Sequence, residues 1–432
     1  MPLVSFPYGK EQISYSFPDS RFAGELLSRL HHYRSSQSQE ALVEEALARP
    51  AGSAPLRNLA RGKDRVVLIA SDHTRPVPSR IIVPAMLREI RRGNPRARVS
   101  ILVATGCHRE TTRAELEDKF GPEIMEREHI VIHDCDSPDM VQLGRLPSGG
   151  DLFLNRLAVE ADLLAAEGFI EPHFFAGFSG GRKSVLPGVA GRTTVVYNHN
   201  AEFIAHPRAR TGVVEGNPIH IDMLYAARAA RLAFICNVVI NADKDIIYAA
   251  AGDCELAHKE GREFLLDRCR VESRPADIAI TGNGGYPLDQ NIYQAVKGMT
   301  AAEAAVRPGG VIIMLAKSND GHGGAEFYKT FAEEKDLDRM LDTFMRTPKT
   351  QTRIDQWQSQ IFARVLKHAA VIYISDAPDN MVRELHMIPA HSIPEALDLA
   401  ERMLDKPQAS IVAIPDGVSV MVDGGSPGDQ GR

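Results

Sequence analysis

The strongest constraint on the fold is a repeated order of elements: a short aliphatic run, a polar or glycine-rich loop, and a helical segment. The aliphatic runs lie at residues 65–70, 99–104, 163–170, 233–240, 277–281, 311–316, 371–375 and 411–415. Helix starts are also encoded, since Pro78 precedes the segment from Ser79 to Arg92, and Thr112 with Glu115 forms a capping box. Strands that alternate with helices form parallel sheets covered on both faces. The sequence therefore predicts an α/β fold with mainly parallel sheets flanked by helices.

The length of the chain predicts more than one domain. Its 432 residues exceed the roughly 250–300 residues at which a single hydrophobic core stops growing. We expect a boundary near residue 273, which gives α/β domains at residues 1–273 and 274–408. Residues 409–432 are expected to form a C-terminal strand that packs back on the N-terminal domain, followed by a frayed tail rich in Gly, Pro and polar residues.

Composition excludes several classes of protein. The formal net charge of −6 leaves no basic surplus for a nucleic-acid backbone, so no nucleic-acid partner is expected. No apolar run approaches the roughly 20 residues that span a bilayer, and the N-terminus lacks the layout of a signal peptide. The five cysteines form no CxxC pair, and Cys107 directly precedes His108. These features predict a cytoplasmic protein with reduced cysteines and no membrane partner.

The strand pattern also predicts where chemistry takes place. Asp72, Arg75, His108 and His173 each lie just beyond the carboxyl end of a predicted strand. Ligands of open α/β sheets bind at this edge, often in a cleft between domains. We therefore expect these four side chains to cluster at an active site in the interdomain cleft.

The segment from Glu171 to Gly188 is rich in glycine and contains the sequence Gly-Gly-Arg-Lys-Ser at residues 180–184. It fails the nucleotide-triphosphatase motif GxxxxGK[ST], because Arg182 stands where the motif requires glycine. Gly177, Gly180 and Gly181 would still let backbone N–H groups approach an anion closely. Lys183 could hold a phosphate or carry a covalent group. A tight surface loop with a solvated Lys–Arg pair is the alternative interpretation.

Three histidines are candidates for site chemistry: His108, His173 and His199. Their spacing matches no compact zinc signature, so a site would have to be assembled from separate loops. Taken alone, each histidine is more often a hydrogen-bonded structural residue than a ligand or base. No GxGxxG sequence follows a strand, which argues against a nicotinamide cofactor bound in the Rossmann manner.

A helix predicted from about Asn291 presents a polar face. Tyr293, Gln294 and Lys297 are three or four residues apart and share that face, which suits a small polar anion or simply water. Trp357 is the single tryptophan and lies among polar neighbours. It either anchors packing or stacks on a ring.

Five long motifs carry a family resemblance. They lie at residues 71–79 (SDHTRPVPS), 102–109 (LVATGCHR), 173–188, 283–300 (NGGYPLDQNIYQAVKGMT) and 320–324 (DGHGG). With these motifs the whole chain resembles the nickel-pincer lactate racemase family. The resemblance implies a nickel cofactor, a pyridinium-3-thioamide-5-thiocarboxylic acid mononucleotide, attached to Lys183, with His199 as the remaining nickel ligand. Separate maturation proteins would supply it.

The resemblance also implies the roles of the other residues. His108 and His173 match the two catalytic bases. The residues expected to contact the cofactor are Asp72, Arg75, Gly177, Ser179, Gly180 and Trp357. Those expected to contact the substrate are Arg75, Tyr293, Gln294 and Lys297. The implied function is a racemase that interconverts D- and L-lactate through hydride transfer and a 2-oxoacid intermediate.

Chemistry gives a reason for two bases and a hydride acceptor. The Cα proton of a 2-hydroxyacid is too weakly acidic for an unaided imidazole, whereas one histidine can take the hydroxyl proton while Cα gives up a hydride. A second histidine then serves the other enantiomer. The alternatives are a racemase or epimerase of another 2-hydroxyacid (malate, an aromatic or a sugar acid), a histidine-bound zinc hydrolase, and a non-enzymatic sensor of such acids.

Overall fold

The computed structural model describes residues 1–424 of the 432-residue chain. Its strands are β1 (Leu3–Tyr8), β2 (Glu11–Ser16), β3 (Phe22–Glu25), β4 (Arg65–Ser71), β5 (Arg98–Ala104), β6 (His129–Ile132), β7 (Met140–Arg145), β8 (Asp151–Asn155), β9 (Leu163–Phe169), β10 (Pro172–His173), β11 (Gly177–Phe178), β12 (Leu232–Ile240), β13 (Ile246–Gly252), β14 (Arg270–Ser273), β15 (Ala276–Gly282), β16 (Val306–Leu315), β17 (Ala370–Ile374), β18 (Ile388–Ala390), β19 (Ile411–Ile414) and β20 (Met421–Gly424).

The α-helices are α1 (Gln39–Ala48), α2 (Leu56–Leu59), α3 (Ser79–Gly93), α4 (Arg113–Phe120), α5 (Pro122–Arg127), α6 (Arg156–Val159), α7 (Arg192–Asn198), α8 (Ala201–Ala205), α9 (Pro218–Ala229), α10 (Leu256–Cys269), α11 (Ile292–Ala305), α12 (Ala325–Glu333), α13 (Leu337–Arg346), α14 (Gln356–His368), α15 (Asp379–Glu384) and α16 (Ile393–Leu404). Two short 3-10 turns lie at Gly181–Ser184 and Lys349–Gln351. Within the described part of the chain, no helix has both the length and the apolar character needed to cross a membrane.

The chain divides into two compact units. The larger unit comprises residues 32–267 and 349–351. Its six-stranded sheet has the order β13-β12-β9-β4-β5-β6, in which only β13 runs antiparallel to its neighbour. Its central strands are nearly continuous apolar runs, because helices such as α3 cover the sheet and leave no solvent-facing side.

The smaller unit comprises residues 1–31, 268–348 and the segment from 352 onward. Its six-stranded sheet has the order β18-β17-β16-β15-β19-β3, with all strands parallel. Asp277 joins the starts of two of its strands, since its carboxylate accepts hydrogen bonds from the backbone N–H and the hydroxyl of Ser410, both at 2.8 Å.

The predicted α/β fold with mainly parallel sheets flanked by helices is confirmed. The capping box of Thr112 and Glu115 is likewise present at α4.

The compact units differ from the predicted domains at the N-terminus. Residues 1–31 were expected in the first domain, but they belong to the smaller unit with the C-terminal half of the chain. The physical reason is long-range packing: Phe6 and Phe17 are fully buried in the core of that sheet, and β3 pairs with β19. The carboxylate of Asp289 also accepts a hydrogen bond from the backbone N–H of Gly9 at 2.6 Å.

The C-terminal segment pairs with strands of the expected N-terminal domain, residues 1–273. β19 lies inside the sheet of the smaller unit, between β15 and β3, and β3 falls within those residues. Residues 416–424 continue as ordered structure, since the Asp416 carboxylate accepts the Val418 N–H at 3.1 Å and β20 pairs with β14. The rest of the expected frayed tail, residues 425–432, lies outside the described residues.

The burial of β4 predicts the effect of truncating its side chains. Leu68 is 0% exposed at the centre of the larger unit, so Leu68→Ala leaves a cavity and should lower the free energy of unfolding of that unit by about 2–5 kcal/mol. Leu256→Ala is the matched control, because Leu256 is 49% exposed and its replacement should change stability by less than about 1 kcal/mol. Denaturant unfolding of both variants measures the difference, and equal losses would contradict this account of the core.

Candidate active site

Three neighbouring strands bring the candidate loops of the larger unit to one edge of its sheet. β9, β4 and β5 are adjacent and parallel, so their carboxyl ends point the same way. Asp72 follows β4, His108 lies four residues beyond β5, and His173 lies four residues beyond β9. The predicted proximity of Asp72 and His108 is confirmed by direct contact between the two side chains.

Asp72 and His108 form a buried-carboxylate and imidazole pair. The Nδ1 atom of His108 lies 2.6 Å from Oδ2 of Asp72, whose side chain is 2% exposed, whereas that of His108 is 40% exposed. Burial alone would raise the pKa of Asp72, but the charge and hydrogen bond of His108, together with Arg75, hold that pKa below its usual range. The ionised carboxylate therefore accepts a hydrogen bond from the Nδ1–H of His108. In a neutral ring, the lone pair is then on Nε2.

The loop after β4 supports this pair. The hydroxyl of Thr74 donates to Oδ1 of Asp72 at 2.6 Å, and Nη1 of Arg75 donates to that hydroxyl oxygen at 2.9 Å. The Asp72 carboxylate thus contacts both His108 and Thr74, while its predicted contact to the cofactor stays a prediction.

Glu167, on β9, accepts hydrogen bonds from both ends of the loop that follows β4. The sequence analysis did not identify this residue. Its Oε1 accepts hydrogen bonds from the N–H and the hydroxyl of Ser71, at 2.7 and 2.8 Å, and from the hydroxyl of Ser79 at 3.2 Å. The side chain is 1% exposed. An acidic residue inside the apolar run LLAAEGF was the available signal, because a buried carboxylate needs dedicated donors.

A second cluster forms around His173 and Lys183. His173 ends the two-residue strand β10, which pairs with β11 in a tight hairpin. The Nζ atom of Lys183 lies 3.1 Å from Nε2 of His173, and the Ala176 N–H donates to Nδ1 of His173 at 3.3 Å. Any group attached to Nζ of Lys183 would therefore lie directly beside the His173 imidazole.

Phe175 connects this cluster and was also missed. Its ring centroid lies 4.5 Å from that of His173 and 5.2 Å from that of His199, both edge to face. Nζ of Lys183 lies 5.5 Å from the same ring centroid. One buried aromatic ring thus contacts three of the candidate residues, and the phenylalanine gave no distinguishing signal within the apolar pair Phe174-Phe175.

The glycines of the loop are required by close packing. Gly177 and Gly180 have φ angles of +78° and +75°. A Cβ at Gly177 would lie 2.4 Å from the carbonyl oxygen of Val213, and one at Gly180 would lie 2.7 Å from that of Phe169. The hydroxyl of Ser179 donates to the Phe169 carbonyl at 3.0 Å. These contacts shape the loop, while the predicted contacts of Gly177, Ser179 and Gly180 to a cofactor stay predictions.

Arg182 holds the loop together from inside. It is 1% exposed, which contradicts the alternative of a solvated Lys–Arg pair. Its guanidinium donates to three loop carbonyls: Ala176 at 2.7 Å, Phe178 at 2.9 Å and Gly180 at 3.2 Å. Burial, followed by the charge of Arg262, lowers the pKa of Arg182 to about 9. The arginine that broke the phosphate-loop motif is therefore the internal brace of the turn that carries Lys183.

His199 is a buried, neutral imidazole. It follows α7, where its Nδ1–H donates to the carbonyl oxygen of Val195 at 3.0 Å. Burial and then the charge of Lys183 lower the pKa of His199 to about 3. A ring held in this tautomer carries its lone pair on Nε2, the form that a metal ion requires.

The remaining predicted residues lie in the smaller unit. Tyr293, Gln294 and Lys297 form the half-exposed side of α11, whose other side is buried, and Asn291 caps the helix by accepting the Gln294 N–H at 3.0 Å. Trp357 lies on α14, where the neighbouring Gln358 donates to the carbonyl of Tyr293. The predicted shared face on a helix is confirmed, while the roles of these four side chains stay predictions.

Comparison with known proteins gives a consistent result along the whole chain. Residues 8–212 match the model of the lactate racemase N-terminal domain, and residues 271–422 match that of the lactate racemase C-terminal domain. The lactate racemase of Thermoanaerobacterium thermosaccharolyticum is 52% identical over 424 residues, which cover 98% of this chain and 99% of the relative. That of Lactiplantibacillus plantarum is 51% identical over 424 residues, covering 98% and 100%.

Solved structures agree. The lactate racemase apoprotein from Thermoanaerobacterium thermosaccharolyticum matches with a TM-score of 0.94 at 51% identity, covering 98% of this chain and all of that one. A protein from Thermotoga maritima matches with a TM-score of 0.66 at 19% identity, covering 89% of this chain and 98% of that one, and this likeness shows a shared fold alone.

The environment of His199 predicts its titration. Its pKa of about 3 lies below the unfolded value of about 6.5, so only the unfolded chain binds this proton between these pH values. The contribution of His199 to the free energy of unfolding is therefore retained above about pH 6.5 and lost as pH falls toward 3. NMR of protein labelled with ¹⁵N in its histidines should show His199 with a protonated Nδ1 and a bare Nε2 from about pH 8 down to 5. Titration of this ring near pH 6.5 would contradict the assignment.

The bracing by Arg182 predicts a local loss of protection. Arg182→Met removes charged hydrogen bonds that are each worth roughly 1.5–3 kcal/mol, so amide hydrogen exchange at residues 176–181 should accelerate at least about tenfold. Arg231→Met is the matched control, since Arg231 is an exposed arginine that also donates to a carbonyl, that of Val159 at 3.0 Å. Exchange that is equally slow in both variants would mean that other contacts hold the loop.

Proposed function

The chain belongs to the lactate racemase family, and on that premise we propose that it interconverts D- and L-lactate. The observation that carries the proposal is the cluster around Phe175. In this cluster the amine of Lys183 lies 3.1 Å from the imidazole of His173. A second imidazole, that of the buried His199, contacts the same Phe175 ring. The amine of Lys183 thus lies within hydrogen-bonding distance of the proposed base, and the Phe175 ring contacts both this amine and the proposed metal ligand.

For the cofactor, the proposal names nickel and the pyridinium-3-thioamide-5-thiocarboxylic acid mononucleotide. The donor set fits such a group: Lys183 offers an amine for the covalent link, and His199 offers a neutral imidazole held in one tautomer. A borderline ion such as nickel(II) accepts imidazole nitrogen together with soft sulfur. When bound, this group would supply acceptance and return of a hydride. Separate maturation proteins would deliver it.

His108 serves as one general base. Its Nε2 lone pair takes the proton of the substrate hydroxyl, and the imidazolium that results is stabilised by the ionised carboxylate of Asp72 at 2.6 Å. The carboxylate also fixes the orientation of the ring, since Thr74 holds Asp72 in turn. Loss of the hydroxyl proton and of hydride from Cα leaves a planar 2-oxoacid.

His173 serves as the second base. It lies on a hairpin after β9, whereas His108 follows β5, so the two rings are presented by different loops. Each loop can address one enantiomer, since inversion requires the hydroxyl proton to be exchanged with a different group on each face of the 2-oxoacid. The edge contact with Phe175 restricts the orientation of the His173 ring.

The substrate carboxylate requires cationic and polar partners. Arg75 can bind a carboxylate through two parallel N–H groups, and its Nη1 is already oriented by the Thr74 hydroxyl. We assign Lys297, Tyr293 and Gln294 to the substrate and Trp357 to the cofactor ring. A short 2-hydroxyacid such as lactate suits a site whose polar groups address one carboxylate and one hydroxyl.

Replacement of the two bases tests the mechanism. His108→Asn and His173→Asn should each lower racemisation by about 10²–10⁴-fold, because each removes a general base, while the cofactor stays attached. The measurements are racemase activity, the mass of the Lys183 peptide and the nickel content, on protein from a host that makes the cofactor. His129→Asn is the control, since His129 is exposed and its Nδ1 lies 3.1 Å from the hydroxyl of Ser100, on strands rather than in the loops that carry the two bases. Undiminished turnover in either base variant would sink the two-base assignment.

A further inference from the structure

Two cysteines lie together behind the His108 loop. The hydroxyl of Thr105 donates to the carbonyl of His133 at 2.6 Å, and the His133 N–H donates to the carbonyl of Val103 at 3.0 Å. The segments that follow β5 and β6 are thus joined, and each carries a cysteine two residues further on, Cys107 and Cys135. The two thiols are close enough for each to shift the pKa of the other, and neither belongs to a disulfide.

The surroundings of Cys135 lower the pKa of its thiol. The hydrogen bond from Cys107 lowers the pKa of Cys135, and the charge of Arg192 acts in the same direction, while burial, Asp134 and Asp136 oppose it. Arg192 is fixed in this position, because its guanidinium pairs with Asp136 and its backbone N–H donates to the Cys135 carbonyl at 2.9 Å. Cys135 is the more nucleophilic sulfur and Cys107 the protonated partner.

We propose that Cys107 and Cys135 form a modification site for peroxides, at which oxidation closes a disulfide and displaces His108. The Cys135 thiolate attacks one oxygen of hydrogen peroxide, the O–O bond breaks, and hydroxide leaves to become water with one added proton. The sulfenic acid that forms on Cys135 is then attacked by the sulfur of Cys107. The S–O bond breaks, a second water leaves with the Cys107 proton, and the S–S bond forms.

The link from this bond to His108 is short. Cys107 and His108 are consecutive and belong to one tight turn, in which the His108 N–H donates to the Thr105 carbonyl at 2.9 Å. The Gly106 N–H is held by the Gly188 carbonyl at 3.0 Å, so the turn is fixed on both sides of Cys107. A bond from the Cys107 sulfur to Cys135 would pull on this turn, and we expect it to shift His108 relative to Asp72. This consequence rests on the proposed function, whereas the disulfide itself does not.

The other cysteines provide internal controls. Cys236, Cys254 and Cys269 are buried, and burial raises the pKa of Cys236 and Cys269 to about 12 and that of Cys254 to about 11. Thiols with such pKa values contain very little thiolate near neutral pH and should react slowly with peroxide. Oxidation should therefore be selective for the one pair.

The test treats the cofactor-loaded protein with hydrogen peroxide. Non-reducing peptide mass spectrometry should show the Cys107 and Cys135 peptides joined with loss of two hydrogens, and dithiothreitol should separate them. Racemase activity should fall on the order of 10²-fold, as a displacement of about 1 Å at a catalytic group does, and should return on reduction. Cys135→Ser should keep its activity through the treatment, whereas Cys254→Ser, the matched control, should lose activity as the unmodified chain does.

Several results would overturn the inference. Absence of the joined peptide excludes the disulfide, and a joined peptide with undiminished activity excludes displacement of His108. Equal peroxide sensitivity of Cys135→Ser and the unmodified chain would place the damage elsewhere. Failure of the proposed function is separately visible, because untreated loaded protein would then lack racemase activity while the peptide measurement could still be made.

Discussion

The pairing of β4 with β9 on one side and β5 on the other is the constraint on which the candidate site of the larger unit depends. Parallel neighbours end at the same edge of a sheet, so the loops that carry Asp72, His108 and His173 start side by side. Strands buried on both faces also tolerate little variation in register. The core thus supplies position, and the loops supply the chemical groups.

Buried polar groups convert this placement into fixed geometry. Glu167 beneath the β4 loop and Arg182 within the glycine-rich loop are both almost fully buried, and each is bonded to several backbone or hydroxyl groups. Such groups are expensive to leave unpaired, so the loops that satisfy them are held in one conformation. A residue such as His108 can then present an exposed ring from a rigid loop, as a general base must.

The sequence was sufficient for whatever depends on local pattern. Periodicity predicted the buried strands, and the capping box at Thr112 predicted the start of α4. It was not sufficient where distant segments meet. Residues 1–31 join the second sheet through burial of Phe6 and pairing of β3, and no local signal specifies those partners. From the sequence, Arg182 shows only that the phosphate-loop motif is broken. Its role as an internal brace depends on carbonyls that only the folded loop brings together.

The bracing of the glycine-rich loop would favour covalent attachment of the proposed cofactor to Lys183. A single imidazole such as His199 binds a metal ion weakly, whereas attachment through Lys183 would make its encounter with the metal intramolecular, at a high effective concentration. That gain holds only if the attachment point is itself fixed, because a mobile tether spreads the group over many positions. Lys183 lies on a short 3-10 turn that is packed and braced by the neighbouring Arg182. The buried Arg182 thus fixes the backbone from which Lys183, the proposed attachment point, extends.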